Sequence, residues 1–184
     1  MSQGALARGQ VLQPINAKVQ CLLIALALLP CSALWLRGRP ALAADGAPFA
    51  DEDLDGWADM MADAETARFI GGVQSRSTAW RGMASMAGSW VLNGFGMFSL
   101  IEKDSGRWVG RVGPWRPEGW PGTEVGWGLT RDCWGRGYAS EGATAAIDWA
   151  FDTLGWDEVI HTIDPANTAS EAVARRLGST ILRQ

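Results

Sequence analysis

The sequence predicts a single α/β domain of the α+β kind, built on a mixed sheet, and three observations lead there. Residues 123–142 run from a strand through a glycine-rich turn into a helix, and residues 157–164 return as a β-rich run, which makes a right-handed β-α-β unit. Residues 95–103 and 107–115 are two strand-like runs joined by Asp104-Ser105-Gly106, an antiparallel hairpin. Ahead of them stand two helical patterns separated by Gly71-Gly72. The 184 residues suffice for one domain with a core and fall short of two ordinary ones. A net charge of −4 and a pI near 5.0 leave no sequence-wide basic field for nucleic acid, and tolerate an amine-bearing partner.

Residues 1–20 are polar, carry Arg8 and Lys18, and show no periodicity, so disorder is expected there. From residue 21 to residue 29 the chain is continuously apolar until Pro30, and Ala41-Leu42-Ala43 follows. These are the parts of a secretory signal, although the whole exceeds the usual ~15–30 residues. As a membrane span the stretch is barely long enough against the ~20 residues required. The preferred reading is an extension over residues 1–40, outside the core, followed by a cytoplasmic domain over 41–184. Export or membrane anchoring is the alternative. Two segments compete for the first strand: residues 43–48, weakened by Asp45 and Gly46, and residues 33–38, better in composition.

Asp53 is a good N-cap for a helix with Leu54, Trp57 and Met61 at helical spacing, and Asp51 and Glu52 suit its N-terminus. Ser77 can cap a second helix with Trp80, Met83, Ala87 and Trp90 on one face, which reads as core packing. After the hairpin, the loop over residues 115–122 carries Trp115 and Trp120, which either line a pocket or cover the sheet edge. Residues 124–129 alternate, with Val125, Trp127 and Leu129 on one face and Glu124, Gly126 and Gly128 on the other. One face thus offers a lone carboxylate beside two absent side chains. A helix begins near Ser140, with Ala143, Ile147, Ala150, Phe151 and Leu154 inward. His161, the single histidine, reads as a sheet residue without a chemical task, and with no metal-ligand spacing among Cys21, Cys31 and Cys133 no metal is expected. Asn167 caps a last helix with Val173 and Leu177 inward, Gly178 ends it, and residues 179–184 begin a further strand.

Gly135 and Gly137, followed by a helix N-terminus, form an anion nest suited to phosphate, with Arg131 and Arg136 nearby. A nucleoside triphosphate loop is excluded because no Gly-Lys-Ser/Thr follows. A dinucleotide fingerprint is met in part, since Ser140 stands where the third glycine belongs; Asp164 would be its ribose acid, and a Rossmann-type oxidoreductase is the rival enzyme. The third reading is the pyrophosphate loop of an acyl-coenzyme A enzyme.

Trp-Gly-Arg-Gly-Tyr-Ala-Ser-Glu (134–141) resembles motif A of the GNAT superfamily of N-acetyltransferases, especially the RimJ/RimL-like branch that acetylates protein N-termini and some small amines. The pattern falls on Trp134, Gly137 and Ala139, with Trp in place of the usual Gln or Arg, and Asp-Pro-Ala-Asn-Thr-Ala-Ser (164–170) is similar to the same branch downstream. The resemblance implies a mostly antiparallel sheet with helices on both faces and a parallel strand pair splayed around the coenzyme. It implies acetyl-CoA as cosubstrate and no metal, with Gly128, Leu129, Trp134, Gly135, Arg136, Gly137, Tyr138, Ala139 and Asn167 as its binding residues. It implies direct attack by a primary amine, of a protein N-terminus or a small molecule; Glu124, on the glycine-lined face, is the candidate base, acting directly or through water, and its alternative is a structural carboxylate pairing with Arg111 or another cation. Many relatives protonate the departing thiolate with a Tyr where Ala174 stands here; Ser170 is the substitute by position. Relatives also complete a terminal hairpin beyond residue 179, so an edge is expected here that a second copy would cover, making a homodimer an option. A non-catalytic coenzyme A-binding domain of this fold is the remaining rival.

Overall fold

The structure, a computed structural model, describes residues 10–13, 34–37 and 49–181. Its elements in chain order are β1 (Gln10–Gln13), β2 (Leu34–Arg37), α1 (Asp53–Ala62), α2 (Ala64–Ala67), α3 (Arg76–Asn93), β3 (Phe98–Glu102), β4 (Trp108–Trp115), β5 (Glu124–Leu129), α4 (Tyr138–Leu154), β6 (His161–Ile163), α5 (Thr168–Arg176) and β7 (Thr180–Ile181). Strands β2-β3-β4-β5 form one antiparallel sheet and β6-β1-β7 a second, and a single parallel bridge, Glu124 to Ile160, ties the two together. The doubly wound parallel sheet of a Rossmann domain is therefore ruled out.

The α4 helix covers one face of the larger sheet, where Leu100, Val109, Val112, Val125, Ala146 and Ile147 make one core. Helices α1 and α3 cover the other, where Trp57, Met60, Met61, Met83 and Trp108 make a second. With both faces covered, β4 is buried almost throughout. Gly142 lets α4 approach closely, since a Cβ there would lie 2.9 Å from Leu100 and 3.2 Å from Val112.

Several expectations are met with small shifts. The hairpin, β5, the inward residues of α4 and the Asn167 cap are as read, Asn167 Oδ1 accepting from Ser170 N–H at 3.1 Å. The N-cap of α1 is Glu52, and Asp53 turns inward to accept from Ala50 N–H and the Ser99 hydroxyl. Ser75, not Ser77, caps α3, by accepting from Thr78 N–H. Trp80 is 49% exposed, because Ala79 and Met83 hold the buried face. On α5 it is Ala174 that is fully buried.

The N-terminal region departs more. Leu34–Arg37, inside the candidate strand at 33–38, pairs antiparallel with β3; the competing 43–48 lies outside the described residues. Gln10–Gln13, in a stretch expected to lack structure, is a strand between β6 and β7, so these two parts of residues 1–40 belong to the sheets. Strand β7 pairs with β1 on one side and is the terminal strand of the order β6-β1-β7. The apolar run 21–29 lies outside the described residues, and among those described no helix is long and apolar enough to cross a membrane.

Gly110 is a close-approach position: a Cβ there would lie 2.4 Å from Gly128 O and 2.9 Å from Leu129 Cα, both backbone atoms that cannot swing away. Gly110→Ala should therefore destabilise the domain by at least about 2 kcal/mol, measured by denaturant unfolding.

Candidate active site

The parallel pairing of β5 with the segment entering β6 starts normally and then stops. Ile160 N–H donates to Thr123 O at 2.9 Å and Val125 N–H to Ile160 O at 3.2 Å. A continuing ladder would next join Thr162 N–H to Val125 O. Here Thr162 N–H donates to Glu124 Oε1 at 3.1 Å, and Val125 O is 2.6 Å from His161 Nδ1. Two side chains have replaced one backbone bond. Beyond this fork β6 turns to β1, and β5 is left with an open flank.

Alternation defines what that flank presents. Thr130 N–H bonds to Val109 O, so along β5 the N–H groups of residues 124, 126 and 128 face β4, and those of Val125, Trp127 and Leu129 face the seam. A cleft of about 290 Å³ occupies the seam. Its walls include Glu124, Gly126 and Arg111 from one face of β5 and its neighbour, and Trp127, Asn167 and Ser170 from the other. Side chains of both parities on one strand can share a cavity only where it passes through the sheet.

On the first face, burial pushes the Glu124 carboxyl above the usual carboxylate range, against the opposing effects of Thr162 N–H, the Trp120 indole N–H and the Arg111 charge. Arg111 is buried, its pKa lowered to about 10 by desolvation. Its Nη1 donates to Met97 Sδ at 2.7 Å, its guanidinium lies 5.1 Å from the Trp57 ring centroid, and Nε has no partner among the described residues. Gly126 serves this packing as well, since a Cβ there would meet the Met97 methyl at 3.0 Å. A neighbouring cavity of about 600 Å³ shares Trp115 and Trp120 with the cleft and adds Ser85, Ser89, Asn93 and Arg116.

On the second face, the Trp127 indole N–H donates to Ser170 Oγ at 3.3 Å and its ring sits 4.9 Å from that of His161. Trp127 also packs against the small cluster of Ile163 and Ala174. A carbonyl only accepts, so His161 Nδ1 bears the proton that reaches Val125 O. Burial lowers the ring's pKa to about 4; it is neutral, and its Nε2 has no partner among the described residues.

At the glycine turn Gly135 and Gly137 hold φ of 73° and 84°, and a Cβ on either would project into open space. Gly137 is the N-cap of α4 and supplies no side chain; Glu141 N–H is the donor that returns to Gly137 O, which leaves Tyr138, Ala139 and Ser140 N–H without an intrahelical acceptor. The Trp134 indole ties the turn to the strand end through Leu129 O at 3.1 Å. The basic side chains are less available than the sequence suggests. Arg136 pairs with Glu102 at 2.9 Å and lies over the Tyr138 ring, whose hydroxyl also bonds Glu102; Arg131 stands 3.9 Å from Asp63. Arg176, from α5, was missed: its Nη1 reaches Ser140 Oγ at 3.2 Å, a contact between residues 36 apart that no local pattern signals. Gly128 and Leu129 lie in the β4–β5 ladder toward the far end of the strand and do not line the cleft. Among the described residues no cluster of His, Cys, Asp or Glu is arranged to hold a metal ion.

A family model described as "Acetyltransferase (GNAT) domain" matches residues 47–180, which is most of the chain. The chain belongs to this family. It is similar to an acetyltransferase of known structure from Agrobacterium tumefaciens, at 27% identity and a TM-score of 0.70, over 85% of this chain and 94% of that one. Mycobacterium smegmatis RimJ, solved in complex with CoA-disulfide, shares the fold at 21% identity and a TM-score of 0.52, over 71% of this chain and 67% of that one. Among curated proteins, an uncharacterised Bacillus subtilis protein, YkkB, is 35% identical over 46% of this chain and 52% of its own length. The chain spans about half or less of the length of the curated relatives it matches.

The neutral histidine has a consequence for acid stability. Its folded pKa lies below the ordinary value of 6.5, so the unfolded chain binds the extra proton first as pH falls. The stability this neutral ring contributes is present above pH 6.5 and is lost as pH falls from there toward 4; the gap amounts to about 3 kcal/mol. Chemical denaturation across that range should show a steeper loss for the parent protein than for His161→Asn.

Proposed function

We propose that this domain moves an acetyl group from acetyl-CoA to a primary amine, of a protein N-terminus or a small molecule, by direct attack on the thioester. The observation that carries the proposal is the cleft through the sheet, with a buried carboxylate on one face and Asn167 and Ser170 on the other. The acyl donor fits the residues present. The backbone N–H groups of Tyr138, Ala139 and Ser140, beside Gly135 and Gly137, would grip the diphosphate, with Arg136 and Arg176 adding charge at the rim. The arm would run along the flank of β5, past Trp134, Leu129 and Gly128, to the seam, where it meets the donors that β6 does not use. Asn167 keeps its side-chain N–H₂ for an arm carbonyl while its Oδ1 caps α5.

The acceptor enters from the opposite face through the cavity flanked by Trp115 and Trp120. Glu124 takes a proton from the incoming amine, whose pKa runs from ~7.7 for an α-amine to ~10.4 for a lysine-like one. A carboxyl raised by burial is a stronger base than an exposed one, and its two hydrogen bonds fix its aim. Nitrogen attacks the thioester carbon, the C–S bond breaks, and the thiolate collects a proton. Ser170 suits that last role because its Oγ accepts from Trp127, which leaves its own hydroxyl hydrogen free to donate. The need for acetyl-CoA also favours a cytoplasmic setting.

Two substitutions test the two halves of this reading. Glu124→Gln should lower kcat by 10²-fold or more with less than a threefold change in acetyl-CoA affinity; unchanged turnover near neutral pH would remove Glu124 as the base. Gly137→Val puts a β-branched side chain on a left-handed backbone inside the nest, and calorimetry should detect no acetyl-CoA binding. Gly137→Asn, which tolerates that backbone, should bind weakly, and normal affinity in both variants would refute the diphosphate assignment. Product formation with a panel of amines and N-terminal peptides separates the enzyme from a non-catalytic coenzyme A-binding domain.

A further inference from the structure

We infer that His161 is a positioning residue that holds the seam open, by taking over the Val125 carbonyl so that β6 cannot zip onto β5. The inference rests on the acetyl-CoA reading above for its functional meaning, and on the hydrogen bonds at the fork for its substance.

Consider what the backbone would do unaided. After Val125 N–H has bonded Ile160 O, the nearest donor for Val125 O in a parallel ladder is Thr162 N–H, and making that bond would draw Trp127 N–H toward Thr162 O in turn. Each step would close the space an acyl-donor arm needs. The chain blocks the first step from both sides. Glu124 Oε1 accepts the Thr162 N–H at 3.1 Å, and His161 Nδ1–H donates to Val125 O at 2.6 Å. Val125 is fully buried and Thr162 half-buried, and each of the two backbone groups parted at the fork has a side-chain partner in place of the other. Proton inventory matches the arrangement: an acceptor-only carboxylate faces the amide donor, and a protonated ring nitrogen faces the carbonyl. The Trp127 ring, 4.9 Å away, backs the imidazole and fixes its plane.

His161 therefore does not act on the substrate through this nitrogen. It acts through Val125, by occupying the carbonyl that would otherwise capture Thr162. Asn and Gln separate this role from a direct ligand contact. An Asn side chain can place an N–H near the position of Nδ1, whereas Gln reaches toward the position of Nε2, the ring nitrogen without a partner among the described residues.

Isothermal calorimetry on the full chain, with acetyl-CoA and with 3′-phosphoadenosine 5′-diphosphate as an armless probe, tests this. His161→Leu and His161→Gln should bind acetyl-CoA at least tenfold more weakly than the parent, and His161→Asn within about threefold. The armless probe, which needs only the helix N-terminus, should bind all four proteins equally. Parent-like acetyl-CoA affinity in His161→Leu overturns the inference. So does rescue by Gln instead of Asn, which would assign the effect to Nε2, and so does a parallel loss of the armless probe, which would mark general disruption. If the parent binds neither ligand, the acetyl-CoA reading itself fails and this role falls with it; if the parent binds and the variants do not differ, only the histidine's role is lost.

Discussion

One hydrogen bond that is not formed governs this domain. Thr162 N–H and Val125 O stand where a parallel ladder would join them, and Glu124 and His161 keep them apart by satisfying each separately. A buried amide or carbonyl without a partner costs on the order of 1–3 kcal/mol, so strands in a core part only where something else meets both groups. Glu124 thereby has two tasks. It is the base of the proposed reaction, and it is one of the two side chains that meet the parted backbone groups.

The rest of the fold supports that opening without filling it. Strand β1 takes the antiparallel place beside β6 and so satisfies its outer edge, while β5 stays anchored to β4 over its full length. Gly110 brings those two strands close, Gly142 sets α4 against the sheet, and Trp127 packs against Ile163 and Ala174. On the other face Met97 and Trp57 hold Arg111 in a dry setting where its charge steadies Glu124. The cleft is thus a designed gap between two well-packed cores.

Much of this was legible locally. The alternation of Val125, Trp127 and Leu129 with Glu124, Gly126 and Gly128 gave strand and faces together, Gly135 and Gly137 marked the turn before α4, and the Asn167 cap declared α5. What escaped was non-local. Gln10–Gln13 is only four residues long, and its strand character comes from partners about 150 to 170 residues away, near Thr162 and Thr180. Ser75 and Ser77 are equally good caps by type, and it is Ser75 that accepts from Thr78 N–H. A lone histidine in a β-rich run reads as packing, because its partner, Val125 O, is a backbone atom 36 positions earlier. Arg131 and Arg136 read as free charge until Asp63 and Glu102 fold against them.

The most direct test of the central claim is a crystal structure of the protein grown with coenzyme A. The account predicts the diphosphate at the N-terminus of α4 and the arm threaded between β5 and β6, with Val125 O still on His161 and Thr162 N–H still on Glu124. Density showing Thr162 bonded to Val125, with the coenzyme lying elsewhere on the surface, would contradict it.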